Sequence, residues 1–95
     1  HALDAWSLTD WACAAAGEMG EVCNVVKKLR RLEMGSGFRR ETEEATELTD
    51  DLADEIADTV IYLDLLAARV GIDLGEAVRA KFNTTSERIG SKVTL

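Results

Sequence analysis

Residues 51–70, DLADEIADTVIYLDLLAARV, decide the fold. Leu52, Ile56, Val60, Leu63 and Leu66 recur at intervals of three and four, the period of one apolar helix face. At about 100° per residue, Asp51, Glu55, Asp58 and Tyr62 fall on one narrow stripe of the same helix. Apolar residues border that stripe on both sides, with Ile61 and Leu65 opposite the main core face. The freely solvated face is expected elsewhere, near Ala53, Ala57, Asp64 and Ala68. These acids are therefore not simply the wet side of an amphipathic helix. Gly71 ends the helix as a left-handed cap.

Upstream, a helix starts at Ser7-Leu8-Thr9-Asp10, where Ser7 can cap and Asp10 suits the positive end of the helix dipole. It runs to about Glu33 and is stopped by Met34-Gly35-Ser36-Gly37, with Lys27, Lys28, Arg30 and Arg31 toward its negative end. Trp11, Ala14, Ala15, Val22, Val25 and Leu29 all lie within about 60° of Glu18 on this helix. An unpaired carboxylate removed from water costs at least several kcal/mol or takes up a proton, so something positive is expected beside Glu18. Gly17 and Gly20 bracket it. Each costs about 1 kcal/mol against alanine inside a helix, which points to close approach by another helix or a ligand.

Residues 38–51 are rich in acids and lack a sustained apolar period, reading as a loop or an exposed helical turn. A third helix is expected from Leu74, capped by Asp73, through Ala77, Val78 and Phe82 toward Ile89, with Gly90 ending it. The expected class is all-α: three or four helices per subunit in one helical domain spanning residues 1–95.

Composition agrees. The chain has 95 residues, no proline and few aromatics, which favours helix over sheet. A domain this small gains from oligomerisation, so a homodimer or homotetramer is expected. The net charge of −7 argues against a nucleic-acid polymer as partner, and an anionic substrate would need metal ions as mediators. No segment has the roughly 18 uncharged apolar residues needed to span a bilayer, and none reads as a secretory leader. Cys13 and Cys23, ten residues apart on one helix, are about 15 Å apart along its axis, too far for a mutual disulfide. Both read as buried free thiols of a reducing cytoplasm.

Glu18 with Glu21, and Glu55 with Asp58, are two carboxylate pairs at spacing three. Such a pair projects from neighbouring turns of one face with Cβ atoms about 5–6 Å apart, so both can reach one cation. An all-oxygen donor set selects Mg²⁺ or Mn²⁺ over zinc. Di-iron bundles draw on Glu-x-x-His pairs, and His1 is the one histidine in the chain. A lone acidic pair is ordinarily just a solvated face; two pairs on adjacent long helices, both bordered by apolar residues, favour a metal. Tyr62 either stacks on a base or packs at a core edge. Lys81, Asn83 and Arg88 suit phosphate oxygens, with plain surface solvation as the competing account. Trp6 and Trp11 read as core or interface anchors.

Gly17-Glu18-Met19-Gly20-Glu21-Val22-Cys23-Asn24 followed by Lys27-Lys28, then Asp54-Glu55-Ile56-Ala57-Asp58 with Tyr62, Gly71-Ile72-Asp73-Leu74, and Lys81-Phe82-Asn83 with Ser86 and Arg88, resemble in order and spacing the MazG-like all-α nucleoside triphosphate pyrophosphohydrolases. The resemblance covers about residues 6–90. It implies subunits that oligomerise into a four-helix-bundle-like core and cleave a nucleotide between its α and β phosphates. Glu18, Glu21, Glu55 and Asp58 would be magnesium ligands, and Lys81, Asn83 and Arg88 phosphate or sugar contacts, with Asn24 and Lys28 joining the pocket. The family's first motif often begins with two adjacent acids, and Gly17 stands where the first would be. With no nucleophilic constellation of cysteine, serine or histidine, water is the expected attacker, with Glu21 as its proton acceptor and Glu55 as the second catalytic carboxylate. A related hydrolase of deoxyuridine or phosphoribosylated nucleotides, and a non-catalytic helical association module, are the alternatives.

Overall fold

The computed structural model describes residues 3–36 and 42–95, and most of them are helical. A short 3₁₀ turn, Leu3–Ala5, precedes three α-helices: α1 (Leu8–Ser36), α2 (Glu43–Arg69) and α3 (Leu74–Arg88). Among the described residues there is no strand. The all-α expectation holds at this level.

Local chemistry sets the boundaries. Ser7 and Asp10 form a reciprocal capping box: the Ser7 amide donates to the Asp10 carboxylate at 3.0 Å, and the Asp10 amide donates to Ser7 Oγ at 3.2 Å. Thr42 caps α2, its Oγ1 accepting from the Ala45 amide at 3.2 Å, with Glu43 and Glu44 in the first turn. Residues 43–51 therefore belong to α2. Their acid-rich sequence hides the helix from an apolar count, although the cap and the N-terminal glutamates announce it; residues 38–41 lie outside those described. At the far end Gly71, at φ 76°, places the Ile72 amide on the Ala67 carbonyl (2.8 Å) and its own amide on Ala68 (3.1 Å), the paired bonds of a Schellman motif. Asp73 then caps α3, and Gly90, at φ 77°, repeats the motif with Ser91 bonded to the Ser86 carbonyl.

α1 and α2 pack as an antiparallel hairpin, as the pairings of Trp11 with Tyr62 and of Glu18 with Glu55 show. Trp11, fully buried, is the largest core side chain; Ala15, Val22, Val25, Ala45 and Ala67 complete the buried apolar set. Its indole N–H donates to the Leu3 carbonyl at 3.2 Å, tying the 3₁₀ turn to α1. Arg69 Nε donates to the Trp6 carbonyl at 3.4 Å and closes the hairpin's open end.

α3 behaves differently. It contacts α2 but not α1. The chain spans 46 × 42 × 16 Å, and its radius of gyration of 17.2 Å exceeds the about 12 Å of a compact chain of this length. Its exposed surface, 6919 Å², is about 1,500 Å² above that of a compact monomer of this mass. Ile56, Val60 and Leu63, core residues by sequence pattern, are exposed because no described element covers them. Cys13 and Cys23 are exposed too, correcting the expectation of buried thiols: each lies about 140° around α1 from Glu18, on opposite outer flanks. No described helix is long and apolar enough to cross a membrane.

Candidate metal centre

Glu18 enters the site from the interhelical face of α1, and Glu55 meets it from the facing turn of α2. Asp58 follows one turn on. One carboxylate oxygen from each of Glu18, Glu55 and Asp58 lies within 4.8 Å of the others. In an octahedral Mg²⁺ shell at 2.0–2.1 Å neighbouring oxygens stand about 2.9 Å apart and opposite ones about 4.2 Å, so side-chain rotations that move the carboxylates by about 1–2 Å would bring all three onto one ion. Glu18 and Glu55 are half-buried and Asp58 is exposed, which leaves one side of the triad open to solvent.

Like-charge repulsion within the set is what a bound cation would relieve. The Glu55 carboxyl is pushed above its usual value near 4.5 by partial desolvation first, and then by the negative charges of Glu18, Glu21, Asp58 and Asp54. Every charge acting on it is another carboxylate. The donor set is all oxygen and strongly anionic, as a hard divalent ion requires.

Glu21 stands outside the triad's close group, one turn along α1 and exposed, near enough to act on Glu55 through space. In this antiparallel hairpin Glu21, Lys28, Asp54 and Asp58 project on one side, whereas Met19, Val26, Ile56, Val60 and Leu63 project on the other. The second group is an exposed apolar face.

Lys28 lines a groove of about 490 Å³ with Arg31, Leu32, Glu44 and Asp51, further along the hairpin. Arg31 and Glu44 were missed by the sequence reading, since spacing alone cannot show which side chains of two helices face a shared groove. Tyr62 is half-buried against Trp6 and Trp11, with ring centroids 6.5 and 6.2 Å away, and its ring is nearly parallel to that of Trp6. Trp6 and Trp11 are themselves 4.5 Å apart. Tyr62 thus joins the hairpin's aromatic cluster, one turn beyond Asp58. Asn24 is exposed on α1.

No family model, curated protein or solved structure matches this chain. The site is read on its own chemistry.

Lys81, Asn83 and Arg88 all belong to α3 and do not form one patch. Lys81 and Arg88, seven residues apart, share an edge of the helix and are exposed, while Asn83 projects about 140–160° away. The Asn83 side chain pairs with the backbone of Leu95: Nδ2 donates to the Leu95 carbonyl at 3.2 Å, and the Leu95 amide donates to Oδ1 at 2.8 Å. Gly17 and Gly20 have open space where a Cβ would stand, so the close approach expected there is not made by any described part of the chain.

Proposed function

We infer that the chain is a magnesium-dependent nucleotide pyrophosphohydrolase, cleaving a nucleoside or deoxynucleoside triphosphate to monophosphate and pyrophosphate in a reducing cytoplasm. The observation that carries the reading is the convergence of Glu18, Glu55 and Asp58 from two helices, all within 4.8 Å. The resemblance of the same residues to the MazG-like motifs gives it a reaction.

Glu18, Glu55 and Asp58 would hold the ion, with Glu21 joining by a rotamer change or a second ion. Bound there, magnesium, or manganese in its place, would supply charge neutralisation for the pyrophosphate leaving group and polarise the attacking water. Glu21, solvent-exposed beside the triad, is placed to accept the proton of the water that attacks the α-phosphorus, and Glu55 fixes the geometry from α2. Lys28 lies on the open side of the hairpin for phosphate oxygens, and Asn24 borders that side. Tyr62 offers a ring to the base. Lys81 and Arg88, on one edge of α3, would serve phosphate or sugar, and Asn83 would join them only on releasing its pairing with Leu95.

A homodimer or homotetramer accompanies this reading. The exposed apolar face of Met19, Val26, Ile56, Val60 and Leu63 is where hairpins of two copies would close a four-helix-bundle-like core. That face also favours a second reading, a helical association module without catalysis. A panel of ribo- and deoxyribonucleoside triphosphates, assayed for pyrophosphate with magnesium and with chelator, separates the two. Magnesium-dependent release from at least one nucleotide is expected. Silence across the panel, with Glu18→Ala harmless to folding and assembly, would leave the association module.

A further inference from the structure

The segment that begins at α3 is chemically unlike the rest of the chain. Residues 74–95 carry Arg79, Lys81, Arg88 and Lys92 against Glu76 and Glu87, a net charge of +2 (4 − 2), whereas residues 1–73 carry the remaining 7 basic and 16 acidic residues, a net of −9. Along α3, Val78, Phe82 and Ile89 lie within about 40° of one another, with Lys81 and Arg88 together on one edge. All three apolar residues are exposed, Ile89 at 70%. On the other flank the chain reverses at Gly90 and residues 91–95 fold back along the helix. They are pinned by the Ser91 amide on the Ser86 carbonyl and by the paired bonds between Asn83 and Leu95. The Asn83 side chain pairs with both the carbonyl and the amide of one residue, Leu95, fixing the strap's register. The strap thus lies on the Asn83 side of α3, about 100–140° round the helix from Val78, Phe82 and Ile89, and its Val93 and Leu95 are exposed too. Strap and helix together form one arm, apolar on its face and basic at its edge.

Within the chain α3 meets the hairpin through α2 and not through α1, and Val78, Phe82 and Ile89 stay exposed. We propose that the arm of residues 74–95 is an exchange element, docking its apolar face and its basic edge along the acid-rich hairpin of a second copy of this chain. Three quantities favour that occupant. The charges of arm and hairpin are opposite, so association is steered and register is set. In a reciprocal dimer each copy takes part in two arm–hairpin contacts, and its surplus exposed surface of about 1,500 Å² is close to twice the about 800 Å² per partner that a standard specific interface buries. The geometry is reciprocal, since each copy offers one arm and one hairpin, so a closed two-fold dimer satisfies both. Asn83 acts here as a positioning residue that holds the strap against α3. This reading stands apart from the hydrolase proposal and needs neither nucleotide nor metal.

The test mixes protein of natural isotopic composition with ¹⁵N-labelled protein, lets subunits exchange, and applies a zero-length carbodiimide coupler that joins lysine to carboxylates. Expected are peptides linking Lys81 or Lys92 to acids of α1 or α2 in which the two halves carry different isotopes. Light scattering should give a dimer whose dissociation constant rises at least about 10-fold between low and 0.5 M salt. Phe82→Asp, which alters an exposed side chain, should leave helicity intact and yield monomer, and Leu95→Pro, which removes the amide held by Asn83, should weaken the dimer about 3- to 10-fold. Arm-to-hairpin links found only within one isotope, a dimer unmoved by Phe82→Asp, or a monomer at tens of micromolar would each overturn the proposal.

Discussion

Glu18 on α1 and Glu55 on α2 face each other across the hairpin with carboxylate oxygens inside 4.8 Å, and Asp58 completes the set. Two like charges from different helices at that distance repel, so the triad opposes helix pairing until something neutralises it. Glu55→Gln removes one of those charges while keeping the shape. The metal-free variant is expected to melt no lower than the parent chain, to lose the stabilisation that magnesium confers, and to release pyrophosphate at least about 10²-fold more slowly. Thermal melts with and without chelator, beside the pyrophosphate assay, check all three.

The pH dependence follows from the same group. The folded-state pKa of Glu55 lies above its unfolded value, so the folded chain holds the proton more tightly. Its contribution to stability is fully present below the unfolded pKa and is lost as pH rises through the raised folded value. Without metal, acidification from neutrality through that window should therefore raise the melting temperature. With magnesium the sign reverses, because the ion requires the ionised form and its stabilisation fades as protons displace it. Melting curves across that window in chelator and in magnesium should cross; parallel curves would count against the site.

Among the described residues Trp11 is the one large side chain with no exposure, and its indole holds the 3₁₀ turn through Leu3. Trp11→Ala should cost about 3–5 kcal/mol in denaturant unfolding, a large share of what so small a chain possesses. Trp11→Phe keeps most of the ring and loses the bond, and about 1 kcal/mol is the expected difference.

Gly71 occupies φ 76° with open space around it, so alanine there meets a backbone penalty and no clash. Gly71→Ala should destabilise by about 1 kcal/mol, and Gly17→Ala, in a helix interior with equal space, should stabilise by up to about 1 kcal/mol. A chemical-denaturation pair resolves the opposite signs.

Helix identities and ends were legible because they rest on local chemistry: Ser7 with Asp10, Asp73, and the glycines at 71 and 90 all act within one turn. The start of α2 escaped the apolar count because Glu43 to Asp51 is helical through its cap and dipole rather than through burial. At the candidate site, Glu18 and Glu55 could be placed together since both helices carry them inward, and Asp58 follows one turn on at the open side. Glu21 sits one step round the helix, a rotation that spacing does not resolve. The exposures of Ile56, Val60, Cys13 and Cys23 were illegible for a different reason: periodicity says which residues share a side, not whether anything lies against it.

At 16 Å, the body is little more than one helix deep. A pair of rods that thin buries little beyond Trp11 and a few small side chains, and the triad of a lone copy keeps one side open to solvent. Shielding of the triad from bulk water must then come from whatever is laid across it, and reactivity should rise and fall with subunit concentration rather than with folding alone.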